Sequence, residues 1–148
     1  MQLSPIRRYL PHLIIGLSIS LIMVGAYAAV GFAASASPKA LWSQNPATIT
    51  FSGSAGIGSS GSVGEDVKCA PKTDNVVFKT TVSNPTKVSL TVSPGSEATC
   101  GPAPDHVTVT AHCLVAAPNC KGTYSGTVTI FQGYSTIPPS LAVTIVVT

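Results

Sequence analysis

The residues of this 148-residue chain best suited to chemistry are its four cysteines, Cys69, Cys100, Cys113 and Cys120, and the histidines lying among them, His106 and His112. Thiols and imidazoles in one region allow two readings. They form disulfides, or they hold a soft metal through Cys100, Cys113, Cys120 and a His. Strand parity favours the first. In Val107-Thr108-Val109-Thr110-Ala111-His112-Cys113 the valines, Ala111 and Cys113 share one face, whereas His106 and His112 share the threonine face. Six residues of extended chain separate the two imidazoles by roughly 20 Å, too far for one ion. A copper site of the cupredoxin kind also lacks its axial methionine, because Met1 and Met23 are the only two. Two disulfides are expected, and no metal or other cofactor. Of three possible connectivities, Cys113 with Cys120 closes the short Leu114–Asn119 connection and leaves Cys69 to Cys100.

Other constellations carry less. Gly56-Ile57-Gly58-Ser59-Ser60-Gly61 satisfies the dinucleotide-binding spacing, but that motif needs a strand before it and a helix after it, and no helix is foreseen. Asp105 and His106 are adjacent, so on a strand they face opposite ways and cannot form an orienting pair. Glu65-Asp66 is the one acidic pair, beside the glycine-rich tract, where solvating a turn is its expected role. No zinc-protease helix motif, P-loop or nucleophile elbow is present. The expectation is therefore a protein that is not an enzyme.

These residues must be positioned by strands. Thr48–Ser52, Lys87–Ser93 and Val107–Cys113 alternate with period two, and Asn75–Ser83, Thr123–Phe131 and Ser140–Thr148 are similarly strand-like. A seventh run is foreseen around Glu65–Lys68. Gly and Pro punctuate the gaps at Asn84-Pro85, Pro94-Gly95, Gly101–Pro104, Ala117-Pro118 and Pro138-Pro139. The tract 53–64 reads as a flexible Gly/Ser-rich loop. The expected fold is all-β: a single antiparallel β-sandwich of about seven strands over residues 37–148.

Residues 1–36 differ in kind. Arg7 and Arg8, the only arginines, precede an uncharged run from Leu13 to Ala36 that ends in small residues, with A-x-A sites at Ala26-Tyr27-Ala28 and Ala34-Ser35-Ala36. This is the pattern of a signal peptide cleaved after Ala36, or of an N-terminal hydrophobic helix retained as a membrane anchor through residues 13–36. Either way the basic flank stays inside and residues 37–148 are exported, to the extracellular space or the cell surface. Removing the leader leaves six lysines against five acids, with fourteen serines and sixteen threonines. The mean hydropathy of +0.41 thus blends an apolar leader with a hydroxyl-rich domain. Without arginine, and with dispersed lysines, that domain offers nothing to nucleic acid. It also has no N-glycosylation sequon, since Asn45 and Asn84 precede proline.

The closing segment Gly122-Thr123-Tyr124-Ser125-Gly126-Thr127-Val128-Thr129-Ile130, with a Pro-containing turn and a final alternating strand, resembles the last two strands of an immunoglobulin-like domain. The resemblance covers residues 122–148 specifically. It implies an Ig-like sandwich in which Tyr124 makes a corner hydrogen bond. The chain departs from that pattern in three places. Cys120 stands where the family has Asp, Gly126 where antibody domains have their second Cys, and Trp42 comes too early to be the strand C tryptophan.

The function expected is a structural or adhesive module, an envelope or filament subunit being one form of it. The alternative is a secreted redox or metal-binding protein using the cysteines. Phe131, of opposite parity to Val128 and Ile130, and Tyr134 after it could form a contact surface for a protein or cell-envelope partner. Self-association by strand addition is a further option, through the alternating stretch within Ser37–Ser52.

Overall fold

The computed structural model describes residues 36–148, and these form one compact unit. Residues 1–35, with the leader or anchor expected there, lie outside the described residues. Nine strands follow one another: β1 (Lys39–Trp42), β2 (Ala47–Phe51), β3 (Ser60–Ala70), β4 (Thr73–Val82), β5 (Val88–Ser93), β6 (Ser96–Cys100), β7 (Asp105–Cys113), β8 (Gly122–Gln132) and β9 (Ser135–Val147). One sheet has the order β1-β3-β7-β5 and the other β2-β9-β8-β4-β6.

Alternation explains the two layers. Val107, Val109, Ala111 and Cys113 of β7 are buried, as are Val128 and Ile130 of β8 and Leu141, Val143 and Ile145 of β9, while the hydroxyl residues between them face outward. Each fully buried Val, Ile or Leu stabilises by about 1.5–3 kcal/mol, so one apolar face per sheet suffices to join the layers in a domain with few charges. Leu90 of β5 reaches across to Gly126 of β8, where an added Cβ would lie 2.7 Å from Leu90 Cδ2. Trp42 crosses in the same way. Its ring stands edge-on to Phe78 at 6.4 Å, and Nε1 donates to Pro139 O at 2.9 Å.

Four features depart from the sequence-based expectation. There are nine strands rather than about seven, because β1 is only four residues long and β6 (SEATC) lacks β-branched alternation. The pairing is not wholly antiparallel. β2 runs parallel to β9, since the chain passes from one sheet to the other between β1 and β2 without reversing. The glycine-rich loop is shorter than 53–64, because Ser60–Gly64 is the first half of β3, paired to β7 from Ser60↔His112 onward. A small residue is needed at Gly61, where a Cβ would lie 2.9 Å from Phe51; at Gly64 a Cβ would meet only the exposed His106 ring, at 3.0 Å. Finally, Pro138 and Pro139 lie within β9. The turn is Gly133-Tyr134, with Gly133 at φ 58°. β2 joins β9 only from Val143 on, so the prolines fall where β9 has a single hydrogen-bonded neighbour and their missing N–H groups cost little.

The strand directions give the domain two unlike ends. One carries the β2–β3, β4–β5 and β7–β8 connections. The other carries the β3–β4, β6–β7 and β8–β9 connections, while β5–β6, like β1–β2, crosses from one sheet to the other partway along without reversing. Among the described residues no helix is long and apolar enough to cross a membrane.

Candidate functional site

Each end of the domain holds one disulfide. Cys69, near the end of β3, pairs with Cys100 at the end of β6 and so ties the two sheets together. Cys113 pairs with Cys120 across the β7–β8 connection. No cysteine is free, and Cys100 lies at the opposite end from Cys113 and Cys120. The set considered for a metal therefore does not converge, and its sulfurs are consumed in covalent bonds. Among the described residues no group of three or more His, Cys, Asp or Glu side chains could hold a metal ion. Tyr124 sits beside the second bridge, where its hydroxyl donates to Cys120 O at 2.8 Å in a buried position.

The sequence reading missed a polar cluster at the β1–β2 connection. Because β3 extends from Ser60, parity puts Glu65 on the inner face with Val67 and Cys69, and Glu65 is fully buried. It does not solvate a turn. Its Oε2 accepts from Ser43 Oγ at 2.6 Å and from Gln44 N at 3.0 Å, while Oε1 has no hydrogen-bond partner. Ser43 is also bound through its backbone: Ser43 N donates to Asp66 O at 2.9 Å, and Asp66 N donates to Ser43 Oγ at 2.9 Å. On the outer face Asp66 Oδ1 meets His106 Nδ1 at 2.9 Å. Extending β3 toward the glycines would have revealed Glu65 in the sequence, since Glu65, Val67 and Cys69 then share a parity.

A serine hydroxyl, an imidazole and two carboxylates thus lie close together. Catalysis by such a set needs the base on the nucleophile. Here Ser43 donates to Glu65 while His106 is bonded to Asp66, and among the described residues no hydrogen bond links His106 to Ser43. With its donor and an acceptor site both occupied, Ser43 Oγ holds the turn in place. Next to it, Leu41, Trp42, Ser43, Asp66, Lys68 and Pro104 line an open groove of about 360 Å³.

The aromatic pair foreseen as a contact surface lies on the other sheet. Phe131 faces outward beside Val77, its direct cross-strand partner, and Lys79 Nζ lies 4.7 Å from the ring centroid. Val77 is 41% exposed and Tyr134, at the β8–β9 turn, is wholly exposed. The stretch proposed for strand addition is used within the chain itself, as β1 against β3 and β2 against β9.

No family model matches this chain, and no curated protein matches it. Among solved structures, one similar chain is a family 123 glycoside hydrolase from Clostridium perfringens, reported for glycolipid glycan hydrolysis. The TM-score is 0.42 at 8% identity. The match covers 75% of this chain and 27% of that one, so this chain spans about a quarter of the hydrolase. A likeness this distant carries no argument about fold or activity.

Proposed function

We propose that this chain is an exported, non-catalytic module of the cell surface or extracellular space, built on an immunoglobulin-like sandwich and acting by contact with a protein or cell-envelope partner. Two observations support the fold assignment. In the immunoglobulin arrangement strands A, B, E and D share one sheet and C, F and G the other. Here β1, β3, β7 and β5 take the first set of places and β4, β8 and β9 the second. The Tyr124 hydroxyl bonds back to Cys120 O at the start of the F-like strand, as a tyrosine corner does. One departure is specific to this chain. β6 lies beside the C-like strand, yet in sequence it falls between the D-like and E-like strands.

Export follows from the basic, apolar and small-residue order of residues 1–36. It agrees with two disulfides, which persist in oxidising surroundings. The observation that carries the binding role is the outer face of the five-stranded sheet. Val77 is exposed there beside Phe131 and Lys79, with Tyr134 exposed at the adjoining β8–β9 turn. Exposed aromatics at a rigid hairpin present contact area at small entropic cost.

The test is a binding isotherm of the full chain on isolated cell envelopes, for the natural sequence and for Phe131→Ser with Tyr134→Ser. A loss of at least about tenfold in affinity is expected. Equal binding by the two would sink the assignment of this face.

A further inference from the structure

The groove beside Ser43 rests on a small grid of side chains on the outer face of the four-stranded sheet, where β3 lies between β1 and β7. Asp66 and Lys68 of β3 both point to that face, and each has a neighbour on either side. Lys68 is directly opposite Leu41 of β1. Because Val67 pairs with Asp105, Pro104 lies level with Lys68 on the β7 side. Asp66 lies between His106, its cross-strand partner, and Ser43, which follows the Trp42↔Val67 pair. This second row is held by hydrogen bonds. Asp66 Oδ1 meets His106 Nδ1 at 2.9 Å, and Asp66 N donates to Ser43 Oγ, itself clamped to the buried Glu65. The outer half of each charge is left open. Among the described residues Lys68 makes no ion pair, and no hydrogen bond reaches Asp66 Oδ2. Leu41, 59% exposed, and Pro104 add apolar surface, and Trp42 completes the lining of the groove of about 360 Å³.

We infer that this groove binds carbohydrate, through a neutral pyranose unit of a glycan, at a place separate from the Phe131 face and independent of it. Its volume is that of a small-ligand pocket and far short of a folded partner's footprint. Charge then selects the class of ligand. Asp66 and Lys68 are two residues apart on one strand, about 6.6 Å at the backbone, so an anion or a cation that meets one of them also faces a like charge. A wholly apolar ligand strips water from both groups and returns nothing. A free amino acid matches both signs, but ion pairs at an exposed site are worth little. A pyranose satisfies the whole lining. One hydroxyl donates to Asp66 Oδ2, another accepts from Lys68 Nζ, and the C–H face of the ring covers Leu41 and Pro104. Hydrogen bonds to charged groups are the stronger kind. Asp66 is already held from both sides, so little ordering is spent on it when the sugar arrives. Lys68 is ordered only on binding and the groove is open on one side, so the affinity is weak, with a Kd of about 1 mM.

The chain has a single tryptophan, Trp42, and it lines the groove, so its fluorescence reports occupancy without a label. The full chain, as recovered from the cells that express it, is titrated with maltose, cellobiose, mannobiose and chitobiose. At least one of these sugars should change the Trp42 emission saturably. Because the ligand is neutral, its Kd should stay within about twofold in about 0.5 M salt. Lys68→Ala and Asp66→Ala should each weaken that titration at least about tenfold, since each removes a hydrogen bond to a charged group. Both side chains are exposed, and circular dichroism with the emission of the unliganded variants verifies that they are folded. Phe131→Ser with Tyr134→Ser should leave the sugar titration unchanged, because that face is on the other sheet. No saturable change with any of the sugars would overturn the inference. A response that survives both Lys68→Ala and Asp66→Ala would also overturn it, as would leucine binding more tightly than every sugar. Sugar binding by a chain whose contact with envelopes ignores Phe131 and Tyr134 supports the groove and sinks only that face.

Discussion

The Ser43 hydroxyl and the Glu65 carboxylate, 22 residues apart, meet at 2.6 Å where the chain leaves one sheet for the other. A carboxylate with no solvent exposure is costly unless it is hydrogen-bonded. Glu65 has two such bonds, both from the connection it fixes: Ser43 Oγ and Gln44 N. The burden of a buried acid is thereby converted into a latch for β1 and β2. Ser43→Ala should lower stability by about 2 kcal/mol, the usual worth of a hydrogen bond to a charged group. Urea unfolding would reveal this as a lower midpoint at unchanged slope. An unchanged midpoint would show that Gln44 N alone satisfies the carboxylate.

The Tyr124 hydroxyl is buried and donates to Cys120 O. Tyr124→Phe removes the donor, keeps the ring and leaves a carbonyl short of a partner, at a cost of about 1–2 kcal/mol. Thermal unfolding should register this as a drop of roughly 5 °C for a domain of this size. A drop under about 1 °C would mean that the ring, and not the hydroxyl, sets the corner.

The two bridges should differ in worth. Cys69–Cys100 spans 31 residues and joins the sheets, whereas Cys113–Cys120 spans 7 within one connection. Loop-closure entropy assigns about 3–4 kcal/mol to the first and about 2–3 kcal/mol to the second. Paired Cys→Ser variants compared by guanidinium unfolding should rank in that order. The reverse order would place the larger share of stability at the β7–β8 connection.

At Gly126 the sheets approach so closely that a Cβ would lie 2.7 Å from Leu90 Cδ2 and 3.3 Å from Thr81 O. Gly126→Val should destabilise by about 1–3 kcal/mol through overpacking. Leu90→Ala in the same chain should recover part of that loss, because it removes the clashing methyl. A double-mutant cycle measures the coupling, and strictly additive effects would refute the contact.

Outer-face residues should separate binding from stability. Tyr134 touches little that is buried, so Tyr134→Ser should leave the unfolding midpoint within about 0.5 kcal/mol of the natural sequence. A larger loss would mean that the ring packs on the domain and is not held free for a partner.

Strand content was legible wherever burial on one face imposes period two. Val107 to Cys113 and Thr123 to Phe131 need no more than their own alternation. β1 and β6 were not legible, because four residues, or a run such as SEATC, carry no such period. They are strands because neighbours supply a ladder: β3 for β1, and β4 for β6. Ser60 to Gly64 looked like loop for a similar reason. Glycine and serine have weak strand preference, and only the nearness of Phe51 makes a small residue necessary at Gly61. Glu65 was misread with them, since its parity has meaning only once β3 is known to begin at Ser60.

By itself the sequence determined the all-β class, the apolar faces, the outward parity of Phe131 and the presence of enough cysteines for two bridges. All of these follow from local period and composition. The tertiary structure alone decided which strands share a sheet and that β2 runs parallel to β9. It also decided that Glu65 lies inside against Ser43. Those are relations between residues far apart in the chain, and alternation, which repeats every two residues, carries no information about them.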